Sequence, residues 1–242
     1  MAEFKLPTET IELPSKGLMY PEDSPLSSGK IEIKYMTAKE EDILTNQAYI
    51  EKGTVLDKLI DSLIVNKDIN QKDLIVGDKN AVLVAARVLG YGKKYSFTLK
   101  GEEHTVDLTE VDNKQIDESL FQKGENNFQF TLPHSGNKIT YKILNGHDET
   151  KIEQELRGIK KINKDASPEL STRLKHLITS VNGETEPKRI REFVDNYLLA
   201  RDSRALREHI KENQPDVDLT FDLDGEGEVT VPIGITFFWP DA

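Results

Sequence analysis

The chain has 242 residues, of which 43 are acidic and 32 are basic, so its formal net charge is -11. This charge would repel a phosphate backbone, and it disfavours nucleic acid as a partner. The sequence contains no cysteine, which excludes disulfides, thiolate zinc sites and a cysteine nucleophile. No window approaches the ~18 apolar residues of a membrane span, and no secretory leader is recognisable. We therefore expect a soluble protein that is made in the cytoplasm and has no membrane partner.

Residues 10–45 carry local signals that agree with one another. Two stretches of alternating apolar residues predict a pair of strands, and Thr37 with Glu40 fits the capping box that begins a helix. The loop between the two strands is unusual because it carries three large apolar side chains, Leu18, Met19 and Tyr20. These side chains are a candidate partner contact, or the loop folds back over the core of its own domain.

The remainder of the first half mixes helices and hairpins. Apolar residues at helical spacing predict helices at 55–65 and 81–89, the second of them opened by residues 77–80. The period of the apolar residues then changes from about 3.6 to 2, which predicts antiparallel hairpins over 95–108 and 127–144.

The second half reads as a bundle of amphipathic helices. One helix begins at Pro168 and extends to Val181, because proline suits the first helical turn. Another begins at Pro187 and places Tyr197 and Leu198 on its apolar face. Alternating apolar residues near the C-terminus predict a hairpin that closes the bundle.

These patterns predict an α+β fold with two domains. Residues 1–145 are expected to form an N-terminal α+β domain of strands and helices with small inserted β-hairpins. Residues 146–242 are expected to form a helical domain with the C-terminal β-hairpin.

The sequence lacks the motifs of common enzymes. Its five histidines are scattered, and no pair has metal-ligand spacing on one helix face. No glycine-rich phosphate loop and no Gly-x-Ser-x-Gly nucleophile elbow occurs. We therefore predict a protein that is not an enzyme, with no catalytic residues, no metal site and no cofactor.

Three arginines recur at three-residue spacing near residue 200, which places them on roughly one side of a helix. They are Arg201, Arg204 and Arg207. They either bind a carboxylate-rich partner or pair with the acidic residues of the same helix, namely Asp202, Glu208 and Glu212.

The chain closes on a compact aromatic group, which comprises Phe237, Phe238, Trp239 and Pro240. Aromatic side chains supply large, rigid contact areas, which protein interfaces favour. The group therefore either anchors in the pocket of a partner or packs against the protein's own helices.

Three separated blocks of sequence are spread over most of the length of the chain. The first is LPSKGLMY followed, after a short linker, by GKIEIKYMTAKEEDIL. The second is GDKNAVLVAARVLGYG, and the third is ARDSRALR with PDVDL and the closing FFWP. In this order and spacing, the blocks resemble the baseplate hub and tail assembly family of T-even-type contractile-tailed bacteriophages.

The resemblance implies a structural component or assembly factor of the phage tail baseplate central hub that acts through protein–protein contacts. Its partners would be other tail and baseplate hub proteins, and an oligomer is possible. Its location would be the virion tail baseplate, or the host cytoplasm during assembly. A permanent subunit and an assembly chaperone fit equally well. The alternatives are a nucleic-acid-binding or regulatory phage protein, which the charge disfavours, and an unrecognised enzyme, which the missing motifs disfavour.

One departure from the family concerns two hairpins. Relatives carry cysteine pairs there, consistent with zinc-stabilised turns, at the positions that correspond to Leu99 to Glu103 and Asp222 to Gly227. Because this chain has no cysteine, we predict metal-free hairpins in which Gly101, Gly225 and Gly227 supply the turn geometry.

Overall fold

A computed structural model describes residues 6–223 and 227–238 of the chain. Within these ranges it contains eight α-helices and eleven β-strands, and every strand pair is antiparallel. The predicted α+β class with small antiparallel hairpins is therefore confirmed. No helix in the described part of the chain combines the length and the apolar character that crossing a membrane requires.

In sequence, four helices lie between the second and third strands, and the other four lie between the seventh and ninth strands. They are α1 (Ala38–Leu44), α2 (Gln47–Glu51), α3 (Val55–Leu63), α4 (Val76–Tyr91), α5 (Gly146–Ile162), α6 (Glu169–Leu177), α7 (Pro187–Asn196) and α8 (Ala200–Asn213).

The strands form four two-stranded sheets and one three-stranded sheet. They are β1 (Thr8–Glu12), β2 (Lys30–Lys34), β3 (Lys94–Leu99), β4 (Glu102–Asp107), β5 (Asp112–Asn113), β6 (Phe128–Thr131), β7 (Lys138–Tyr141), β8 (Ile178–Val181), β9 (Val217–Asp218), β10 (Thr220–Leu223) and β11 (Gly227–Thr230). The pairs are β1–β2, β3–β4, β5–β9 and β10–β11, and the larger sheet has the order β6-β7-β8.

The chain folds into two compact units. Among the described residues, the first unit comprises 6–17, 23–115, 215–223 and 227–238, and the second comprises 18–22 and 116–214. This division differs from the boundary predicted at residue 145. The hairpin formed by β6 and β7 belongs with the helices of the second unit, whereas the C-terminal hairpin belongs with the N-terminal half.

After the second unit, the chain re-enters the first unit at residues 215–216, which contact helix α4. A Cβ atom on Gly77 would lie 2.0 Å from the carbonyl oxygen of Pro215, so only glycine permits this approach. One turn further along α4, the Asn80 Nδ2 atom donates to Asp216 Oδ1 at 2.9 Å. β5 then pairs with β9 immediately after this point. Because these contacts join residues far apart in sequence, local patterns did not indicate them.

The N-terminal strand pair and the capped helix are confirmed. In β1 and β2, Ile11 lies opposite Ile31. The Glu40 carboxylate accepts from the main-chain N–H of Thr37 at 2.9 Å and from its hydroxyl at 2.7 Å. Helix α4, in contrast, begins earlier than predicted, since residues 77–80 lie inside its first turns.

The β3–β4 hairpin turns through two residues with left-handed backbones. Lys100 has a φ of 51° and Gly101 has a φ of 90°. In the C-terminal hairpin, Gly227 has a φ of 74°. The predicted turn role is therefore confirmed for both glycines, whereas Gly225 lies outside the described residues.

The helix predicted from Pro168 to Val181 is wrong in its last turn. Helix α6 ends at Leu177, and the next four residues form β8, which pairs with β7. Ile178 and Val181 are β-branched, and such residues pack well on a sheet. Asn182, with a φ of 51°, then turns the chain toward α7.

Arginine pairs join the helices of the second unit. Arg191 on α7 donates to both carboxylate oxygens of Glu155 on α5, at 2.6 and 2.7 Å. Arg173 on α6 makes the same two-pronged contact with Glu149, at 2.7 and 2.9 Å. The fork of an arginine matches a carboxylate in this geometry, so the pairs fix the orientation of the helices within this unit.

Candidate functional site

The corner between α7 and α8 exposes two large apolar side chains. Tyr197 is 62% exposed and Leu199 is 50% exposed. The sequence predicted that Tyr197 would lie on the apolar face of its helix, and this prediction is wrong. Helix α7 ends at Asn196, so the tyrosine follows the last turn of the helix and is largely exposed.

Main-chain hydrogen bonds fix the path of this corner. The N–H groups of Tyr197 and Leu198 both donate to the carbonyl of Phe193, at 2.9 and 2.8 Å. On the other side, the Ser203 N–H donates to the carbonyl of Leu199 at 2.9 Å. An ordered turn therefore holds the two apolar side chains. Because the backbone of this turn is already ordered, binding a partner costs little further conformational entropy.

The three predicted arginines are all exposed on the helix that follows the corner. Arg204 pairs with Glu208 at 2.7 Å, which is one of the two alternatives for this residue that the sequence left open. The Arg207 Nε atom donates to the carbonyl of Ser203 at 3.3 Å. Arg201 makes no ion pair with any residue that the structure describes. We call Tyr197, Leu199, Arg201 and Arg204 the corner surface.

Asp202 does not pair with these arginines, because it is buried and serves the neighbouring hairpin. Its carboxylate accepts from the main-chain N–H groups of His134 at 2.8 Å and Ser135 at 3.0 Å. Burial raises the pKa of Asp202, but the hydrogen bonds from Ser135 and His134 outweigh burial and bring the pKa below its ordinary value. This anionic anchor ties the start of α8 to the turn between β6 and β7.

The loop residues predicted as a partner contact are largely buried. Met19 is 3% exposed and Tyr20 is 5% exposed, and Leu18 is half-buried. The Leu18 carbonyl accepts from the N–H of Gly124 at 2.7 Å. The structure therefore favours the alternative in which this loop is packed, because a buried side chain offers a partner no contact area.

The terminal aromatics that the structure describes are also core residues. Phe237 and Phe238 are 0% and 1% exposed. The ring of Phe237 lies 4.9 Å from that of Tyr95, and its carbonyl accepts from the Nε atom of Arg87 at 3.1 Å. Packing inside the protein, rather than anchoring in a partner, is the observed role of these two. Trp239 and Pro240 lie outside the described residues.

A cleft of about 640 Å³ lies at the start of β6. Aromatic side chains and amide side chains line most of it, among them Phe121, Phe128, Tyr141, His209 and Asn213. The His209 ring stacks on Phe130 at 4.4 Å. Burial lowers the pKa of His209 and raises the pKa of Tyr141 to about 12, so both side chains are neutral at pH 7.

The sequence does not indicate this cleft, because its walls come from segments that lie far apart in the chain. The alternation of Phe128 and Phe130 does indicate β6, whose first two residues line the cleft. The corner surface has one local signal in the sequence: Asp202 lies in the first turn of α8, and acidic residues are typical of a helix start.

Within residues 6–223 and 227–238, no three or more histidine, aspartate or glutamate side chains are grouped so that they could hold a metal ion. Comparison with known proteins finds no matching family model, no matching curated protein and no matching solved structure.

Proposed function

We propose that this protein is a structural component or assembly factor of the central hub of a contractile phage tail baseplate, and that it works by binding other tail proteins. The observation that carries the proposal is the corner surface. It combines two exposed apolar side chains with two exposed arginines on an ordered turn.

The chemistry of this surface suits protein binding. Exposed apolar side chains that are bordered by polar residues are typical of protein interfaces, and tyrosine and arginine often supply most of the energy of an interface. The Arg204–Glu208 pair is exposed to water, so it adds little to stability. Arg204 is therefore free to exchange Glu208 for a carboxylate of a partner at little cost.

The sequence resemblance adds the type of partner. The block ARDSRALR, which contains both arginines of the corner surface, is one of the three that resemble the baseplate hub family. A partner that complements the surface would offer an apolar pocket with carboxylates at its rim. The net charge of -11 favours a protein partner over nucleic acid.

Co-purification from infected cells tests the proposal. The tagged chain would be produced during infection by the phage that encodes it, and co-purifying tail proteins would be quantified by mass spectrometry. We expect hub proteins to be recovered with the wild-type chain. The double variant Tyr197→Ala with Arg201→Glu should reduce their recovery by about tenfold or more, since removing two such contacts costs at least about 1.4 kcal/mol.

A matched control uses another exposed pair in the same unit. Leu170 is 48% exposed and Arg157 is exposed, so Leu170→Ala with Arg157→Glu makes the same kinds of change elsewhere. This control should leave recovery unchanged. If the two double variants recovered equal amounts of hub proteins, the role of the corner surface would be contradicted. Quantification of the chain in mature virions then separates a permanent subunit from an assembly chaperone.

A further inference from the structure

Strand β6 lies at the edge of the three-stranded sheet, since the strand order is β6-β7-β8. In the described part of the chain, no strand pairs with its outer side. Its residues Gln129 and Thr131 are exposed. An edge strand presents unpaired main-chain groups, and these groups invite pairing with another strand.

The hydrogen bonds of β7 show which groups of β6 point outward. Lys138 donates its N–H to the Asn182 side chain at 2.9 Å and accepts from the Asn182 N–H at 2.6 Å, so its main chain faces β8. The main chain of the next residue, Ile139, therefore faces β6 and its partner there, Phe130. Main-chain groups alternate along an antiparallel strand, so those of Gln129 and Thr131 point away from β7.

Apart from its short length of four residues, this edge carries none of the features that usually protect an edge strand. Its sequence, Phe128-Gln-Phe-Thr, contains no charged residue and no proline. The irregular register of the sheet lies between β7 and β8, at Thr140 and Tyr141, and leaves β6 regular. Natural edge strands are normally blocked by lysine, proline or a bulge, so an open neutral edge indicates a partner strand.

We propose that β6 pairs with β6 of a second copy of this chain, antiparallel about a two-fold axis at Phe130. In this register Gln129 of each copy lies opposite Thr131 of the other. Each of these pairs exchanges both of its N–H to carbonyl hydrogen bonds, so all the outward groups of the two residues are satisfied. The contact is self-complementary, as a two-fold interface requires, and it joins the two sheets into one of six strands.

The same register accounts for the cleft at the start of β6. Because the second strand runs antiparallel, residues 133–136 of the second copy lie beside residues 124–127, at the mouth of the cleft. Pro133 and His134 of this turn are exposed in the single chain, and the cleft of about 640 Å³ stands open beside it. The turn of each copy thus enters the cleft of the other, and one occupant explains both the open edge and the open cleft.

Each copy carries a net charge of -11, but electrostatic repulsion between the copies opposes this contact only weakly. The strand itself is neutral, so no like charges meet directly across the axis. At a salt concentration of about 0.15 M, charges elsewhere on the two copies are screened over about 8 Å. The self-association does not depend on the function proposed above.

Sedimentation equilibrium of the full chain, over a wide range of concentrations at this salt concentration, tests the inference. We expect a reversible dimer. The double variant Gln129→Glu with Thr131→Glu places two carboxylates opposite each other in each pair, and the dimer dissociation constant should rise by about tenfold or more. The charge-swapped variant Gln129→Lys with Thr131→Glu places lysine opposite glutamate, and it should dimerise at least as tightly as the wild type.

A second variant probes the main chain. The N–H of Thr131 points outward, so Thr131→Pro removes one hydrogen bond from each of the two Gln129–Thr131 pairs of the dimer and none of the bonds to β7. It should sediment as a folded monomer, with an unchanged circular dichroism spectrum, whereas Thr131→Val should remain a dimer. A wild-type chain that is monomeric at every concentration would overturn the inference. The inference would also be overturned if neither the Gln129→Glu with Thr131→Glu variant nor Thr131→Pro weakened the dimer.

Discussion

The start of helix α4 lies against the main chain of Pro215, so closely that a Cβ on Gly77 would stand 2.0 Å from the Pro215 carbonyl oxygen. The added Cβ is fixed to the backbone of α4, and the atoms it would meet belong to the main chain of Pro215 and Asp216, so neither side can move away as a flexible side chain can. We expect Gly77→Ala to lower the free energy of unfolding by about 2–4 kcal/mol, as strained or overpacked sites do. Urea denaturation monitored by circular dichroism measures this change.

Gly158 provides the matched control, because it lies inside helix α5 and a Cβ there would meet nothing within 4 Å. Alanine has the higher helix propensity, so Gly158→Ala should raise the free energy of unfolding by about 0.5–1 kcal/mol. The two glycines thus predict opposite signs for the same substitution. If Gly77→Ala were stabilising as well, the close contact with Pro215 would be disproved.

The buried carboxylate of Glu40 predicts a pH dependence of stability. Burial raises its pKa, but hydrogen bonds from Lys34, Ser62 and Thr37 outweigh burial and hold the pKa at about 2 instead of the ordinary 4.5. As the pH falls, the unfolded chain therefore binds a proton at this site at a higher pH than the folded chain does. Its contribution to stability is fully present above pH 4.5, and it is lost as the pH falls toward 2.

Glu40→Gln tests this directly. At pH 7 the variant should unfold with a free energy about 2 kcal/mol below that of the wild type, and at pH 2 the difference should nearly vanish. Urea unfolding at a series of pH values gives both numbers. The pKa of Glu155, which Arg191 lowers to about 2, affects wild type and variant alike. Glu32→Gln, at an exposed position on β2, should change stability by less than about 0.5 kcal/mol at either pH.

How far the sequence predicted the fold depends on the range of the contacts. The Thr37–Glu40 capping box and the Lys100–Gly101 turn are local, so residue types a few positions apart were enough to predict them. The contact of Gly77 with Pro215 joins distant segments and has no local signature. For the same reason the sequence did not indicate the division into two compact units, since the pairing of β5 with β9 is set by partners about a hundred residues apart in the chain.

The candidate site was predicted only in part, because residue type does not decide burial. The arginines near residue 200 were predicted, and they are exposed as a binding surface requires. Met19 and Phe237 were equally plausible contacts by composition, yet tertiary packing covers both. Tyr197 was assigned to a buried face because the end of its helix was placed a few residues too late.

Two aromatic residues with opposite exposure give a further test of these assignments. Phe237 is fully buried, so Phe237→Ala should lower the free energy of unfolding by about 3–5 kcal/mol. Tyr197 is 62% exposed, so Tyr197→Ala should change it by less than about 0.5 kcal/mol. Thermal and urea unfolding of both variants measure the contrast. Equal losses would show that the tyrosine, too, is part of the core.

Complementation of a phage that lacks the gene shows whether the protein acts in the baseplate hub through its corner surface, as we propose. Electron microscopy would count complete baseplates after supply of the wild-type chain or of Tyr197→Ala with Arg201→Glu. We predict that the deletion abolishes complete baseplates, that the wild-type chain restores them, and that the double variant restores fewer than about one tenth as many. Normal numbers of complete baseplates in the absence of the gene would contradict the account.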